Sequence, residues 1–228
     1  MPPPPHPIEH LEDFTAHAWC NALLSDPTIT NIQPRTIPPP QPGGVSNTFF
    51  TKTLFTDDAI RAFLSMYRPG PGRGRLQNTT CTDAAIARDA LRGPTSNGPP
   101  SRPSPSPTHI PNPDGPEALI LISLGKAVDG GIDRLHGGVT ASMLDQVMGI
   151  LVSYSLKSGC ATAELSIKYH KPITTPAVLL CRARIVREAG RWVETVAWVE
   201  DGRGTVFAEG RGAFVGSRRR GEGVEGKM

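Results

Sequence analysis

The chain has 228 residues, enough for one domain of ordinary size with extensions. Twenty-four basic against 21 acidic side chains leave a net charge of +3, too mild a bias to argue for nucleic acid as a partner. Cys20, Cys81, Cys160 and Cys181 are scattered with no C-x-x-C pair, which argues against a zinc site or a disulfide framework and for a reducing compartment.

The first residues, MPPPPHPIEHLEDF, carry acids and no apolar signal core, so a cytoplasmic protein is the expectation. Residues 8–25 read as a helix with Ile8, Leu11, Ala18 and Trp19 near one stripe, and Pro27 stops it. Residues 33–44 are punctuated by Pro and Gly and read as a linker. Asn47 to Phe55, rich in Thr and Phe, suits a strand. Thr56-Asp57-Asp58 offers an N-cap and an acidic first turn, which predicts a short helix through Tyr67. The stretch 69–117 is a Pro/Gly/Ser-rich insertion that buries little, with a short helix at Asp83 to Leu91. The division expected is thus a helix and Pro-rich linker over 1–46, one domain over 47–216 with that insertion, and a flexible tail over 217–228.

Ala118 to Leu124, ALILISL, is a short apolar strand. Then comes RLHGGVTASMLDQVMGILVSYSL, from Arg134 to Leu156. Between Gly137 and Leu156 Asp145 is the sole charged residue. Apolar residues on every side predict a central helix, about 137–156, buried all round. It is too short, and too rich in Ser, Gly and Thr, for a good membrane span. A lone carboxylate there is costly unless it is paired, hydrogen-bonded or protonated, so catalysis is the first role to consider for Asp145. The glycine pair Gly137-Gly138 opens the helix, where unpaired amides sit at its positive end and a substrate approaches the backbone closely.

After Gly159 the pattern turns to strands: 161–170, 177–188, 192–199 and 205–215, with turns at Ala189-Gly190 and Asp201 to Gly204. In the first of these Ala163, Leu165, Ile167 and Tyr169 share one face, so Thr162 lies off it and reaches Asp145 only through a bulge or strand end. A long apolar helix and a four-stranded antiparallel meander predict an α+β fold, a curved sheet of about six strands around the helix.

These motifs resemble the hotdog-fold acyl thioesterases of the PaaI and hydroxybenzoyl-CoA thioesterase superfamily, the human thioesterase superfamily members included. The family pattern is H-G-G, an acidic residue nine positions after the His, then a strand reading T/S-x-x-L-x-I-x-Y-x-x-P. Here His136 and Asp145 have that spacing, and Thr162, Leu165, Ile167, Tyr169 and Pro172 match the strand. The resemblance covers about residues 118–216. It implies hydrolysis of an acyl thioester on CoA or an acyl carrier protein, by a homodimer or dimer of dimers whose pocket takes groups from both subunits. It implies no cofactor and no metal. By position Asp145 would be general base or nucleophile, Thr162 would hold the carboxylate or the water, and the Gly137 amide would polarise the carbonyl, with His136 and Gly138 shaping the turn. Gly138, Met143, Gln146 and Tyr169 would contact the substrate.

Gly130 departs from the pattern, because several family members have Asn or Gln six residues before the His. That departure keeps open a non-catalytic acyl or acyl-carrier binding protein on the same fold. A hydratase or dehydratase of this fold ranks last, since such enzymes resemble this chain but pair the Asp with a His a few residues on, and none follows Asp145 before His170. Arg182, Arg184 and Arg187, with Lys168 and Lys171, are candidates for CoA phosphates; a solvated sheet face is the favoured reading of them. Cys160 reads as a small buried hydrophobe.

Overall fold

The structure, a computed structural model, describes residues 9–35, 47–70, 114–157 and 159–216. Its central element is the helix α3, Gly137–Leu156. His136 caps the start with an extended backbone, and its Nδ1 accepts from the Gly138 amide at 2.9 Å. Lys157, in the left-handed conformation, ends it. Thr140, Met143, Leu144, Val147, Met148, Leu151, Val152 and Leu156 are buried. That is one stripe at helical spacing, so the helix is not buried all round. Ser142, Asp145, Gln146, Gly149, Ile150, Ser153 and Tyr154 are half-buried along the other flank. By length and a mean hydropathy of 1.2 the helix does meet the measure of a membrane span, contrary to expectation; here its apolar stripe is closed by a sheet.

That sheet has seven strands: β1 (Thr30–Pro34), β2 (Ile60–Arg68), β3 (Glu117–Leu124), β6 (Cys160–Tyr169), β7 (Ala177–Ala189), β8 (Trp192–Glu200) and β9 (Val206–Gly216). A two-stranded hairpin, β4 (Asp129–Gly131) and β5 (Arg134–Leu135), leads into α3. The order across the large sheet is β1-β2-β3-β7-β8-β9-β6, and every adjacent pair is antiparallel. The fold is α+β and has the hotdog arrangement of sheet and helix. The expected four-strand meander is corrected to three strands, β7-β8-β9. β6 pairs with β9 at the far edge instead of with its chain neighbour β7.

The helix stripe packs on Ile120, Ile122, Leu179, Cys181, Val193, Ala197, Val199 and Phe214. The approach is close at β9: a Cβ on Gly212 would meet Phe214 at 3.0 Å and the Met148 sulfur at 3.1 Å. Glycine in a strand interior marks such a backbone approach.

The opposite face of the sheet is also covered. Phe14, Cys20 and Ile29 pack there on Ala62, Leu64, Met66, Leu119, Leu121 and Leu180. The N-terminal segment forms two short helices, α1 (Glu12–Thr15) and α2 (Ala18–Leu24), not the one helix expected. Phe14 and Cys20 are the buried residues, while Leu11 of the expected stripe is exposed. Ile8 lies outside the described residues.

Two further expectations are overturned. Asn47 to Phe55 contains a short π-helix, Phe49–Thr53, in place of a strand. The segment predicted as a helix through Tyr67 is β2. Thr56 does behave as a cap, its hydroxyl accepting from the Ala59 amide at 2.9 Å, but the chain then pairs with β3 along its whole length. Non-local pairing overrides the local signal there. β1 falls partly within the expected linker. Residues 36–46, 71–113, with the helix expected at Asp83 to Leu91, and the tail 217–228 lie outside the described residues.

The extension is clamped by buried charge. Arg35 donates to both carboxylate oxygens of Glu9, at 2.8 and 3.2 Å, and to the carbonyls of Phe50 at 2.8 Å and Ile60 at 3.1 Å. Its guanidinium lies 3.8 Å from the Phe55 ring centroid. Glu9 also accepts from the Phe63 amide at 3.0 Å. One side chain thus ties the first described residues, the π-helix and β2 together.

Candidate active site

Asp145 and Thr162 meet. The Thr162 hydroxyl donates to Asp145 Oδ1 at 2.7 Å. The contact needs the bulge that the sequence alternation implies, since the β6–β9 register slips between Thr162 and Glu164. Before the slip Cys160 and Thr162 turn toward the helix; beyond it Ile167 and Tyr169 do. One extra residue moves the inward positions from even to odd numbers.

The pair lies in an open cavity of about 460 Å³ along the half-buried flank of α3. Gln146, Ile150 and Tyr154 line it from the helix, and Phe214 from β9. Asn47 and Ser65 line it from the N-terminal half of the chain. Asn47 donates from its amide to Gln146 Oε1 at 2.7 Å. It holds the π-helix as well, its carbonyl accepting from the amide and hydroxyl of Thr51 at 3.0 and 2.7 Å. The Thr-rich pattern of that segment suggests a strand, and no local pattern marks Asn47 as a site residue.

Cys160 borders the same cavity, half-buried. Burial, with the charge of Asp145 adding to it, pushes its thiol up, and the Ser153 hydroxyl opposes this only in part. The thiol donates to the Gly149 carbonyl at 3.6 Å. A thiol held protonated is a poor nucleophile.

Gly137 opens elsewhere. It borders a second cleft of about 310 Å³ with Arg134, Thr140, Tyr169, Lys171 and Phe207. Tyr169 donates its hydroxyl to the Gly137 carbonyl at 2.9 Å. Among the described residues nothing accepts the Gly137 amide hydrogen, whereas the Gly138 amide is taken by His136. Asp145 lies eight residues on from Gly137, about 12 Å along the helix. Within one chain, therefore, the amide and the carboxylate face separate cavities.

The other expected positions divide. Gln146 lines the Asp145 cavity and Tyr169 the second cleft. Met143 is 1% exposed and belongs to the core, so its expected contact with substrate is corrected. Its place on the stripe facing the sheet decides this. Gly138 and His136 form the cap. A Cβ on Gly138 would meet His136 Nδ1 at 2.9 Å, and one on Gly130 would meet His136 Cδ2 at 2.9 Å. The space for a side chain at position 130 is thus filled by the cap histidine.

Arg182 and Arg184 both pair with Glu117, itself 1% exposed, at 3.3 and 3.0 Å. Arg68 pairs with Glu117 too and with Asp26 at 2.8 Å, while Arg182 reaches Glu200 at 3.1 Å. These arginines serve a network with three carboxylates, not an anion site. Among the described residues no group of His, Cys, Asp and Glu is placed to hold a metal ion.

Residues 133–208 match the family model of the thioesterase superfamily. Over that segment the chain is similar to the thioesterase superfamily. The matched segment holds His136, Gly137, Asp145 and Thr162, whereas Asn47, Ser65 and the N-terminal clamp lie outside it. No curated protein matches the chain. Among solved structures it is similar to a thioesterase superfamily protein at 27% identity, over 43% of this chain and 51% of that one, with a TM-score of 0.41; the chain thus spans about half of that relative's length. It is similar to a Bacillus halodurans protein solved with CoA at 30% identity, over 42% and 65% of the two chains, with a TM-score of 0.40. It is also similar to zebrafish thioesterase superfamily member 2 at 16% identity, over 44% and 75%, with a TM-score of 0.42.

Proposed function

We propose that this protein hydrolyses acyl thioesters of CoA or of an acyl carrier protein, with Asp145 as the base. The observation that carries the proposal is the Thr162–Asp145 hydrogen bond at the wall of an open cavity. The bond fixes one carboxylate oxygen and leaves the other for water. Asp145 accepts a proton as that water adds to the thioester carbonyl carbon. The new C–O bond gives a tetrahedral oxyanion, which collapses with cleavage of the C–S bond, and the proton passes to the departing thiolate. Thr162 positions the carboxylate through the whole sequence.

The oxyanion needs a donor, and the Gly137 amide, without an acceptor among the described residues, fits that role. Because it faces a different cavity from Asp145, the proposal requires a second copy of the chain, with Gly137 of one protomer set beside Asp145 of the other. The exposed edge strand β6 lies beside both positions and is where a second copy would approach. A homodimer is therefore part of the proposal.

The test is thiol release across a panel from acetyl- to palmitoyl-CoA with an aromatic acyl-CoA and an acylated carrier protein, comparing wild type with Asp145→Asn. Turnover abolished by the substitution is expected. Turnover that survives it unchanged would remove Asp145 as base; saturable binding without any turnover would favour the acyl-binding alternative.

A further inference from the structure

The chemistry of the cavity walls narrows the acyl group, and the narrowing rests on the thioesterase reading above. From Asp145 the cavity runs along α3 past Gln146 and Ile150 to Ser153 and Tyr154, a span of about 13 Å at the helical rise. Ile150 and Phe214 are its two large apolar side chains. Most of the remaining lining side chains carry hydrogen-bonding groups: Asn47 and Gln146 beside Asp145, Ser153 and Tyr154 at the far end, and Ser65. Their internal bonds leave capacity unused. Gln146 spends its amide oxygen on Asn47; among the described residues its N–H donors and the Asn47 side-chain oxygen have no other partner. Tyr154 is held flat against Tyr67, ring centroids 4.7 Å apart and 16° from parallel, so its ring forms a fixed wall.

A saturated chain laid in this cavity would strip water from these groups and return no hydrogen bond. A site furnished with such groups rejects the analogue that cannot pair with them. We infer that the substrate acyl group carries oxygen, as hydroxyl or keto functions, with Gln146 and Asn47 as specificity-determining residues near the thioester. Asn47 is tied to the clamped segment: Arg35 holds the Phe50 carbonyl of the π-helix, and the Asn47 carbonyl accepts from Thr51 within it. Asn47 and Ser65, both ahead of the matched segment, thus supply one wall of its cavity.

The experiment compares kcat/KM for matched thioesters, 3-hydroxybutanoyl-CoA and acetoacetyl-CoA against butanoyl-CoA, in wild type, Asn47→Leu, Gln146→Leu and Tyr154→Phe, with circular dichroism to confirm folding. A preference of about tenfold or more for the oxygenated partners is expected, equivalent to roughly 1.4 kcal/mol, and the Gln146 and Asn47 variants are expected to lower that ratio. Equal rates, or a preference for butanoyl-CoA, would overturn the substrate class and leave the reaction class standing. A preference that survives all three substitutions would overturn the residues assigned. Hydrolysis of no thioester at all, with Asp145→Asn indistinguishable from wild type, would overturn both this inference and the reading it rests on.

Discussion

Replacing Gly137 by proline removes one hydrogen from the proposed site and almost nothing else. The residue opens α3, where proline is well accepted because its missing N–H has no helical partner. His136 already has φ −65° and ψ 131°, the region a residue before proline favours. A Cβ at position 137 meets the Tyr169 ring no closer than 3.5 Å, an ordinary contact. Stability should therefore change by less than about 1 kcal/mol in either direction. Activity should not be spared. Loss of one oxyanion donor lowers kcat by about 10² to 10³, or roughly 2.7–4 kcal/mol of barrier. Gly137→Ala adds the same Cβ but keeps the N–H, and should stay within a few-fold of wild type. The assay is thiol release at saturating acyl-CoA, with thermal melts of both variants beside it. A proline variant that folds and turns over like wild type would refute the role of this amide, as would an alanine variant damaged equally.

Three other outcomes follow from the geometry. Thr162→Val removes a hydrogen bond to a carboxylate, worth about 1.5–3 kcal/mol; kcat should fall by about 10- to 100-fold with KM little changed, and Thr162→Ser should restore most of it, as steady-state kinetics will show. Arg35→Met leaves Glu9 buried without its partner and should cost about 3–5 kcal/mol in denaturant unfolding, against little change for the exposed ion-pair variant Lys126→Met. Hydrogen bonds that the His10 ring donates to Asp57 and then Glu12 raise its pKa above the ordinary 6.5. His10 should therefore stabilise the docked N-terminal segment fully below pH 6.5 and lose that contribution as pH rises through its folded-state value. The stability difference between wild type and His10→Asn, followed against pH, should shrink in that direction; a difference that grows with pH would contradict the assignment.

Where the chain alternates or stays apolar for a structural reason, the sequence could be read. β7, β8 and β9 have one face on α3 and short turns between them, so their alternation located them. The unbroken ALILISL of β3 reflects burial on both faces, by α3 on one side and by α1 and α2 on the other. The same double burial made β2 hard to read: IRAFLSMYR has apolar residues at both strand parities, and Thr56 supplied a local helix signal that pairing with β3 overrode. The π-helix and Asn47 depend on Arg35, whose partners are 15 to 26 residues away in sequence, beyond any local pattern. In the site, the spacing of His136, Asp145 and Thr162 was legible, and so was the need for a bulge. What spacing does not carry is direction: Met143 turns inward to the core, and Gly137 and Asp145 turn to different cavities.

That separation gives the most direct test of a site shared between two copies of the chain. Inactive Gly137→Pro and Asp145→Asn proteins are mixed in equal amounts, unfolded and refolded together, and assayed for thiol release. Each mixed dimer holds one site with both Gly137 and Asp145 intact, so random pairing predicts recovery of about a quarter of the wild-type rate. A mixture that stays at the level of the two separate variants, from protein shown to have exchanged subunits, would contradict the shared site.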